Sequence, residues 1–583
     1  MPSNPDIRNL PAIGFLFLLA LIWFLPFCMP FHGYPVGTFW QEWMVAMLLG
    51  MTIIWILFQA PDRSTFHLPK IILVPIGLVL VIGLQFILGQ YSFAAQLTVP
   101  LVYLGLAALA FCLGKTLAER NMLEAAGQWI AVACLLGGLF SVAVQMAQLS
   151  GIEGRFAFMS RRVGGDGLYA NINQANHLAA YLAMSLAAAL YCRVKSQLGV
   201  ITYWIASIFL LAGLVLTGQR CAQIFVLMPL LSTLVVWRSQ KLQREMLLRS
   251  SVILVALFVS LYFLLRPLLE GTGAHLYQSP SLVVQDPRWA VWSHAWMMFK
   301  SHPWLGVGFS QFGSVYFGQL DLIGGDQFYT NAHNVFAALL AETGGIGILL
   351  LVIPVLAWVW RARLQSSSTA QWLGWTQLLI IGAHSMIEFP LWYVYWLIIV
   401  AFWLGALDPE SWKLVVKAPR IAVAVFLLIF AIPLMDTAFT YQKLVFTAFG
   451  SGPLGDTEQE RFRQYRADMV IAESKHWFFQ REGSYQLAAN MLEISPDHAA
   501  EKIVFNEKVM KAMPGPILIS HQVVLYVFAG DMENAVRWLA RAHKVYSSQY
   551  QQIVDDVVAY AVKWPQHFSP AVIERLRATP SSE

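Results

Sequence analysis

Charge is what this sequence has least of: Asp, Glu, Lys and Arg together make 12% of its 583 residues, about half the roughly 25% of an ordinary soluble protein. With 58% apolar residues alongside, that balance excludes a soluble enzyme, a disordered chain, a coiled coil and a collagen. Cysteine is scarcer still. The five (Cys28, Cys112, Cys134, Cys192, Cys221) form no CxxC and have no His at ligand spacing, so neither a disulfide framework nor a zinc site is indicated. Each lies in or at the edge of an apolar run, as a small core residue does. The formal net charge is only +5 and is dispersed, which removes nucleic acid as a partner. The candidate functional loops lack the Asp-rich or Glu-rich stretches that hold a divalent cation, so a site without metal or cofactor is expected.

What the sequence has instead is apolar length. Mean hydropathy is +0.58 and there are 22 Trp. Runs of about 20 residues, enough to span ~30 Å of hydrocarbon, lie near 12–29, 42–59, 71–89, 97–114, 125–148, 177–192, 199–217, 221–237, 250–266, 334–360, 371–387, 391–407 and 419–435. β-barrel strands are short and alternate in polarity, so continuous runs specify helices. The expectation is an all-α polytopic membrane protein with about thirteen transmembrane helices over residues 1–435. The first run has only Arg8 before it and no small-residue cleavage site after it, which favours a retained helix over a removed signal peptide.

Translocating Lys and Arg is unfavourable, so basic loops mark the inner side. With the N-terminus inside, the inner segments hold Arg8, Arg63, Lys70, Lys115, Arg120, Arg193, Lys195, Arg238, Lys241, Arg244, Arg249, Arg361, Arg363, Lys413, Lys417 and Arg420. These are 16 of the 23 basic residues before 436. An odd number of spans then places the C-terminal region outside. Two outer segments are long, 149–176 and 267–333, and the second contains a helical stretch that reads as lying along the membrane surface. Residues 436–583 have 15 basic and 17 acidic residues and no spanning run, which reads as a separate soluble helical domain. Its stretch GDMENAVRWLARAHKVY is like one helix of a tetratricopeptide-type hairpin, with a plain helical bundle as the alternative.

Seven cations remain on the outer side: Arg155, Arg161, Arg162, Arg220, Arg266, Arg288 and Lys300. Lipid headgroups are one explanation; an anionic ligand, favourably a diphosphate, is the other. Arg suits phosphate because its planar fork donates two parallel charge-assisted hydrogen bonds. The stretch GGDGLYANINQANHLAAYL (164–182) sets Asn171, Asn173, Gln174, Asn176 and His177 at the start of an apolar helix. Amides there cap orphan N–H groups, but five polar groups exceed a cap, and amides also suit sugar hydroxyls. In NAHNVFAALLAETGGIGILLL (331–351), His333 and Asn334 open a helix at the outer boundary and Glu342 lies deeper. His333 reads either as an interfacial His bonded to a loop or as a general base for an attacking hydroxyl, since an imidazole titrates near neutral pH. Glu342 reads as structural. In HSMIEFPLWYVYW (384–396), His384 and Glu388 are at i and i+4 and share a helical face. Tyr393 and Tyr395 read as belt anchors or as sugar-stacking rings.

At these residues the sequence resembles the Wzy/WaaL superfamily of O-antigen polymerases and ligases, and more closely the PglL-type bacterial protein O-oligosaccharyltransferases. The core QxNHxA of a short ligase signature is matched by Gln174, Asn176, His177 and Ala179. PWLGVGFSQF followed by NAHNVFAALLAETGGIG is similar to the superfamily's long-loop motif, and HSMIEFPLWY with the soluble tail looks like the C-terminal module of protein-directed ligases. The resemblance implies a GT-C-like ligase core in the bacterial inner membrane. It implies a donor glycan on undecaprenyl diphosphate used at the periplasmic face without metal, and transfer with inversion. It implies that Arg residues (Arg161, Arg162, Arg220, Arg288) hold the diphosphate, that His333 assists the attacking hydroxyl, and that Gln174 and Tyr393 match further motif positions, Tyr395 being near enough to leave that match open. The lead-in SRRVGGDGLY is longer and more basic than the family's, which leaves open whether Arg155, Arg161 or Arg162 takes the family arginine's place.

The reading is therefore en bloc transfer of a lipid-linked oligosaccharide to Ser or Thr hydroxyls of exported proteins such as pilins. The donor, the acceptor protein and membrane lipids are the partners. Attachment to lipid A core and O-antigen polymerisation are close variants. A transporter of a lipid-linked or anionic solute is the alternative of another class; transporters carry polar groups near the midplane and show internal repeats, whereas the polar groups here gather at the outer boundary and no matching halves are seen.

Overall fold

A computed structural model describes residues 10–60, 63–162, 168–235, 241–271, 288–323, 329–365, 367–417, 419–449 and 456–578. Arg8 and Arg238, and residues 163–167, 272–287 and 324–328 of the two long loops, lie outside the described residues. In chain order the helices used below are α1 Phe39–Phe58, α2 Leu73–Ile87, α3 Ala95–Glu119, α4 Leu123–Leu149, α5 Ala175–Val194, α6 Val200–Leu216 and α7 Lys241–Gly271. They continue with α8 Arg288–Ser301, α9 Phe312–Ile323, α10 Val335–Gln365, α11 Thr369–Ser385, α12 Val394–Leu407 and α13 Ile432–Phe449. α14 Asp456–Glu473, α15 Ala499–Ala512, α16 Pro516–Phe528 and α17 Met532–Val545 follow.

The chain is an all-α polytopic membrane protein. Among the described residues eight helices are long and apolar enough to cross a membrane: Phe39–Phe58, Lys70–Ile87, Ala95–Glu119, Leu123–Leu149, Ala175–Val194, Gln243–Leu265, Val335–Gln365 and Arg420–Ala448. The other five expected runs fall on shorter helices. Runs 199–217, 371–387 and 391–407 correspond to α6, α11 and α12, while 12–29 and 221–237 are each divided between two pieces, Leu10–Leu21 with Leu25–Cys28 and Cys221–Phe225 with Met228–Val235.

By internal contacts the chain forms two units. The first comprises 1–77, 103–285 and 350–436, and its centre is α5. Every side chain of α5 from His177 to Cys192 is buried. That is possible because the helix is Ala-rich and neutral, so it sheds little side-chain entropy and can be approached from all sides. Small residues bring α4 close: a Cβ added at Gly138 would meet Ser185 Oγ at 2.3 Å, and Ser185 Oγ donates to the Cys134 carbonyl at 2.8 Å. Such contacts hold helices together where there is no hydrophobic drive between them. α11 begins with a capping box, Ser368 Oγ accepting from Gln371 N and Gln371 Oε1 accepting from Ser368 N, which answers orphan donors at both positions. One feature is not helical: strands β1 Arg63–Pro69 and β2 Ser411–Lys417 pair antiparallel, with Arg63 opposite Lys417 and Pro69 opposite Ser411.

The second unit comprises 78–102, 286–349 and 437–583. The C-terminal helices thus group with residues 286–349. Phe317 on α9 lies 6.0 Å from Trp538 on α17, and the Arg541 guanidinium sits over the Trp538 ring at 4.8 Å, a cation–π contact. Thr98 Oγ1 donates to the Trp477 carbonyl at 2.7 Å. Successive C-terminal helices pack in sequence, α15 on α16 and α16 on α17, with Asp531 capping α17 through Asn534 N.

Candidate active site

In the first unit, the polar residues of the 149–176 loop divide into two kinds. Asn171 is buried and spends its amide on the fold: Nδ2 donates to the carbonyls of Cys28 and Phe158 at 2.7 and 2.8 Å, and Oδ1 accepts from Ser160 N. Gln148 does the same from α4, donating to Ser160 and Ala170 carbonyls and accepting from Ala170 N. Asn173, in contrast, is exposed in the left-handed region at φ 60°, a conformation Asn tolerates. Gln174 stands at the N-cap position of α5 with no side-chain cap bond, and Asn176 Oδ1 accepts from His177 N at 2.8 Å; both are half-buried. Arg155, Arg161 and Arg220 are exposed and Arg162 is half-buried, its N–H donating to Glu153.

His177 does not face outward. It is 1% exposed, and Trp396 Nε1 donates to its Nδ1 at 3.0 Å. His384, 0% exposed, stands edge-on to it at 4.8 Å, and Tyr393 at 5.2 Å. His384 and Glu388 do not pair through the imidazole: α11 ends at Ser385, Glu388 N donates to the His384 carbonyl at 2.9 Å, and among the described residues neither ring nitrogen of His384 has a hydrogen-bond partner. Of the two tyrosines, Tyr395 is buried and packs edge-on to Phe27, while Tyr393 is half-buried at the start of α12.

The second unit holds Arg288, His333, Asn334 and Glu342. Arg288 is the first residue of α8 and half-buried. His333 precedes α10 at φ 50° and remains half-exposed. Its placement is over-determined. Asn331 Oδ1 accepts its N–H at 3.1 Å, Trp292 Nε1 on α8 donates to the Ala332 carbonyl at 3.0 Å, and Tyr329 stands edge-on at 5.9 Å. Asn334 Oδ1 then accepts from the N–H groups of Phe336 and Ala337, both at 3.0 Å, capping α10. A cleft of about 280 Å³ lined by Trp292, Ala295, Trp296, Asn334, Ala337 and Leu340 lies alongside. Glu342 is 1% exposed, and its Oε1 accepts from Phe312 N at 3.1 Å, at the N-terminal end of α9, where a carboxylate is favoured.

Sequence reasoning overlooked several residues that shape these sites: Gln145 and Gln148 on α4, Trp292 on α8, and Gln85 on α2. The signal was present for the glutamines. A neutral amide inside an apolar run must find partners, because hydrocarbon offers none.

The comparisons with known proteins point to a membrane glycosyltransferase of the O-antigen ligase kind. Residues 205–352 match the O-Antigen ligase family model, and residues 372–561 match the C-terminal model of virulence factor membrane-bound polymerases. A general O-oligosaccharyltransferase of Acinetobacter baylyi is 24% identical over 434 residues, covering 70% of this chain and 74% of that protein. A ComP-specific O-oligosaccharyltransferase of the same organism is 23% identical over 417 residues, covering 70% and 72%. Together these matches support an O-oligosaccharyltransferase of the Wzy/WaaL superfamily.

Proposed function

We propose that this protein transfers an oligosaccharide en bloc from undecaprenyl diphosphate to Ser or Thr hydroxyls of exported, pilin-like proteins, at the periplasmic face of the bacterial inner membrane. The N-terminus is then cytoplasmic and residues 436–583 form a periplasmic helical domain on which the acceptor docks. His333 takes the proton of the acceptor hydroxyl as its oxygen bonds to the anomeric carbon. The bond from that carbon to the diphosphate oxygen breaks, and the diphosphate leaves with the electron pair. One displacement inverts the anomeric centre. Arginines among Arg161, Arg162, Arg220 and Arg288 bind the diphosphate by bidentate hydrogen bonds. Asn173, Gln174 and Asn176 serve the glycan, Tyr393 stacks on a sugar or positions the acceptor, and no metal takes part.

The observation that carries this reading is the treatment of the three motif histidines. His177 and His384 are sealed at 1% and 0% exposure, whereas His333 is left half-exposed on a backbone fixed by its neighbours. A proton acceptor must be within reach of the hydroxyl it serves, and only His333 of the three is. The test is reconstitution of the purified protein with an undecaprenyl-diphosphate glycan and two acceptors, a pilin-like protein and lipid A core, followed by mass analysis of both. Glycan on Ser or Thr of the protein is expected. Glycan on lipid A core would reassign the acceptor, and modification of neither, with the donor intact, would favour polymerisation or transport.

A further inference from the structure

We propose that Gln85, a residue in none of the motifs, is a positioning residue that fixes the register of the 303–312 loop on α10 and thereby the placement of His333. The proposal rests on His333 as the proton acceptor and adds to that reading what holds it in place.

α10 is not continuous. At Gly344 the backbone turns to φ 63°, ψ −166°, and a break inside an apolar helix strands carbonyl and N–H groups that hydrocarbon cannot satisfy. The chain 303–308 supplies the partners. Val307 N donates to Ala341 O at 2.9 Å and Gly308 N to Glu342 O at 3.1 Å; on the far side of the break, Gly345 N donates to Pro303 O at 2.8 Å and Ile346 N to Trp304 O at 3.2 Å. The approach is so close that only glycine fits at its two contact points. A Cβ on Gly306 would lie 2.3 Å from the Glu342 carbonyl carbon, and one on Gly344 would lie 2.4 Å from Trp304 O. Both have φ near +65° as well, at 69° and 63°, where L side chains are strained.

Gln85 reaches this splice from α2. It is 0% exposed and its amide is fully used. Nε2 donates to Leu305 O at 2.6 Å and to Glu342 O at 2.7 Å, one on each strand of the splice. Oε1 accepts from Tyr91 Oη at 2.8 Å and from Phe309 N at 3.0 Å. Burial pushes the Tyr91 phenol above its ordinary value, so it stays a donor. One side chain therefore binds the loop before and after its two glycines and the helix at its break.

The link to His333 is mechanical. The loop continues directly from α8, and α8 carries Trp292, which grips the Ala332 carbonyl beside His333. The helical segment Val335–Thr343 is thus held to α8 at both ends, by Trp292 at the histidine and by the splice at the break. Sliding the splice would tilt this segment against α8 and move His333 relative to Arg288. A displacement of about 1 Å at a reacting group costs on the order of 100-fold in rate.

Purified wild type, Gln85→Leu, Tyr91→Phe and His333→Ala are compared for kcat and for KM of donor glycan and acceptor protein. Expected are a fall in kcat of about 10- to 100-fold for Gln85→Leu and of about threefold for Tyr91→Phe, which removes one bond orienting the amide. Each KM stays within about twofold of wild type, because no substrate contact is lost. Wild-type kcat in Gln85→Leu overturns the proposal, as does a loss carried by KM alone. Should Gln85→Leu not fold, wild-type kcat in Tyr91→Phe overturns it. The proposal and its foundation fail separately: an active His333→Ala removes the general base, whereas an inactive His333→Ala beside a fully active Gln85→Leu removes only the positioning role.

Discussion

Two stretches of this molecule look alike as sequence and differ as structure. ANINQANH, residues 170–177, and TNAHN, residues 330–334, both place amides and a histidine where an apolar helix begins. In the first, Asn171 is consumed by three hydrogen bonds to the fold and His177 is sealed behind Trp396. In the second, Asn331 and Asn334 bind backbone N–H groups and the histidine between them stays half-exposed. Polar residues at a membrane boundary are thus of two sorts, those that complete the backbone's hydrogen bonding and those that remain after it is complete. Chemistry is to be sought among the second.

Replacing the two histidines in turn is the most direct way to break that comparison. His333→Ala is expected to lower kcat by on the order of 10²- to 10⁴-fold while the protein stays folded and membrane-inserted; wild-type glycosylation would remove His333 from the mechanism. His177→Leu should act on stability instead. It strips Trp396 Nε1 of its acceptor, and a buried unsatisfied donor costs about 1–3 kcal/mol, to be read as a lower melting temperature in detergent with kcat per folded molecule preserved. A variant as stable as wild type but inactive would move His177 to the reacting side.

The cations allow a finer division. Arg220→Lys in the first unit and Arg288→Lys in the second each keep the charge and lose the fork, so a fall of about 5- to 10-fold in kcat/KM is expected for both; full activity in both would undo the diphosphate assignment. The smallest effect concerns a buried carboxyl that serves the fold. Glu473 accepts from Thr447 Oγ1 at 3.1 Å, and burial pushes its pKa up to about 7 from an ordinary value of 4.5. Its folded-state pKa lies above the unfolded one, so its stabilising contribution is whole below pH 4.5 and is lost as pH rises through about 7. Glu473→Gln, which mimics the protonated form, should melt higher than wild type at pH 8 and no higher at pH 4. Equal melting temperatures at pH 8 would count against the raised value.

How much of this was legible beforehand follows from what hydropathy measures. The described residues of the thirteen apolar runs lie mostly on helix, because apolar length is what a span requires. Continuity of backbone is not encoded in that average, so the breaks at 22–24 and 226–227 and the left-handed turn at Gly344 were invisible in runs that read as unbroken. The ribbon of β1 and β2 was hidden for another reason: RSTFHLP and SWKLVVK are short, basic and lie in separate loops, and nothing in either names the other. The place of His333 and Asn334 just before a helix was legible from the apolar run that follows them. The inward turn of His177, the unpaired imidazole of His384 and the hydrogen bonds of Gln85 were not, since each depends on which partner the rest of the chain brings near.

The β ribbon also sets an order of events during synthesis. His67 and Ser411 meet side chain to side chain at 3.2 Å although 344 residues separate them. At roughly 5–20 residues per second of translation, β1 waits roughly 20 to 70 s for its partner, an unpaired edge offered to any other strand in the meantime. Closure of the ribbon is therefore late in the synthesis of the first unit, and a chain truncated before residue 411 would leave the ribosome with that edge permanently open.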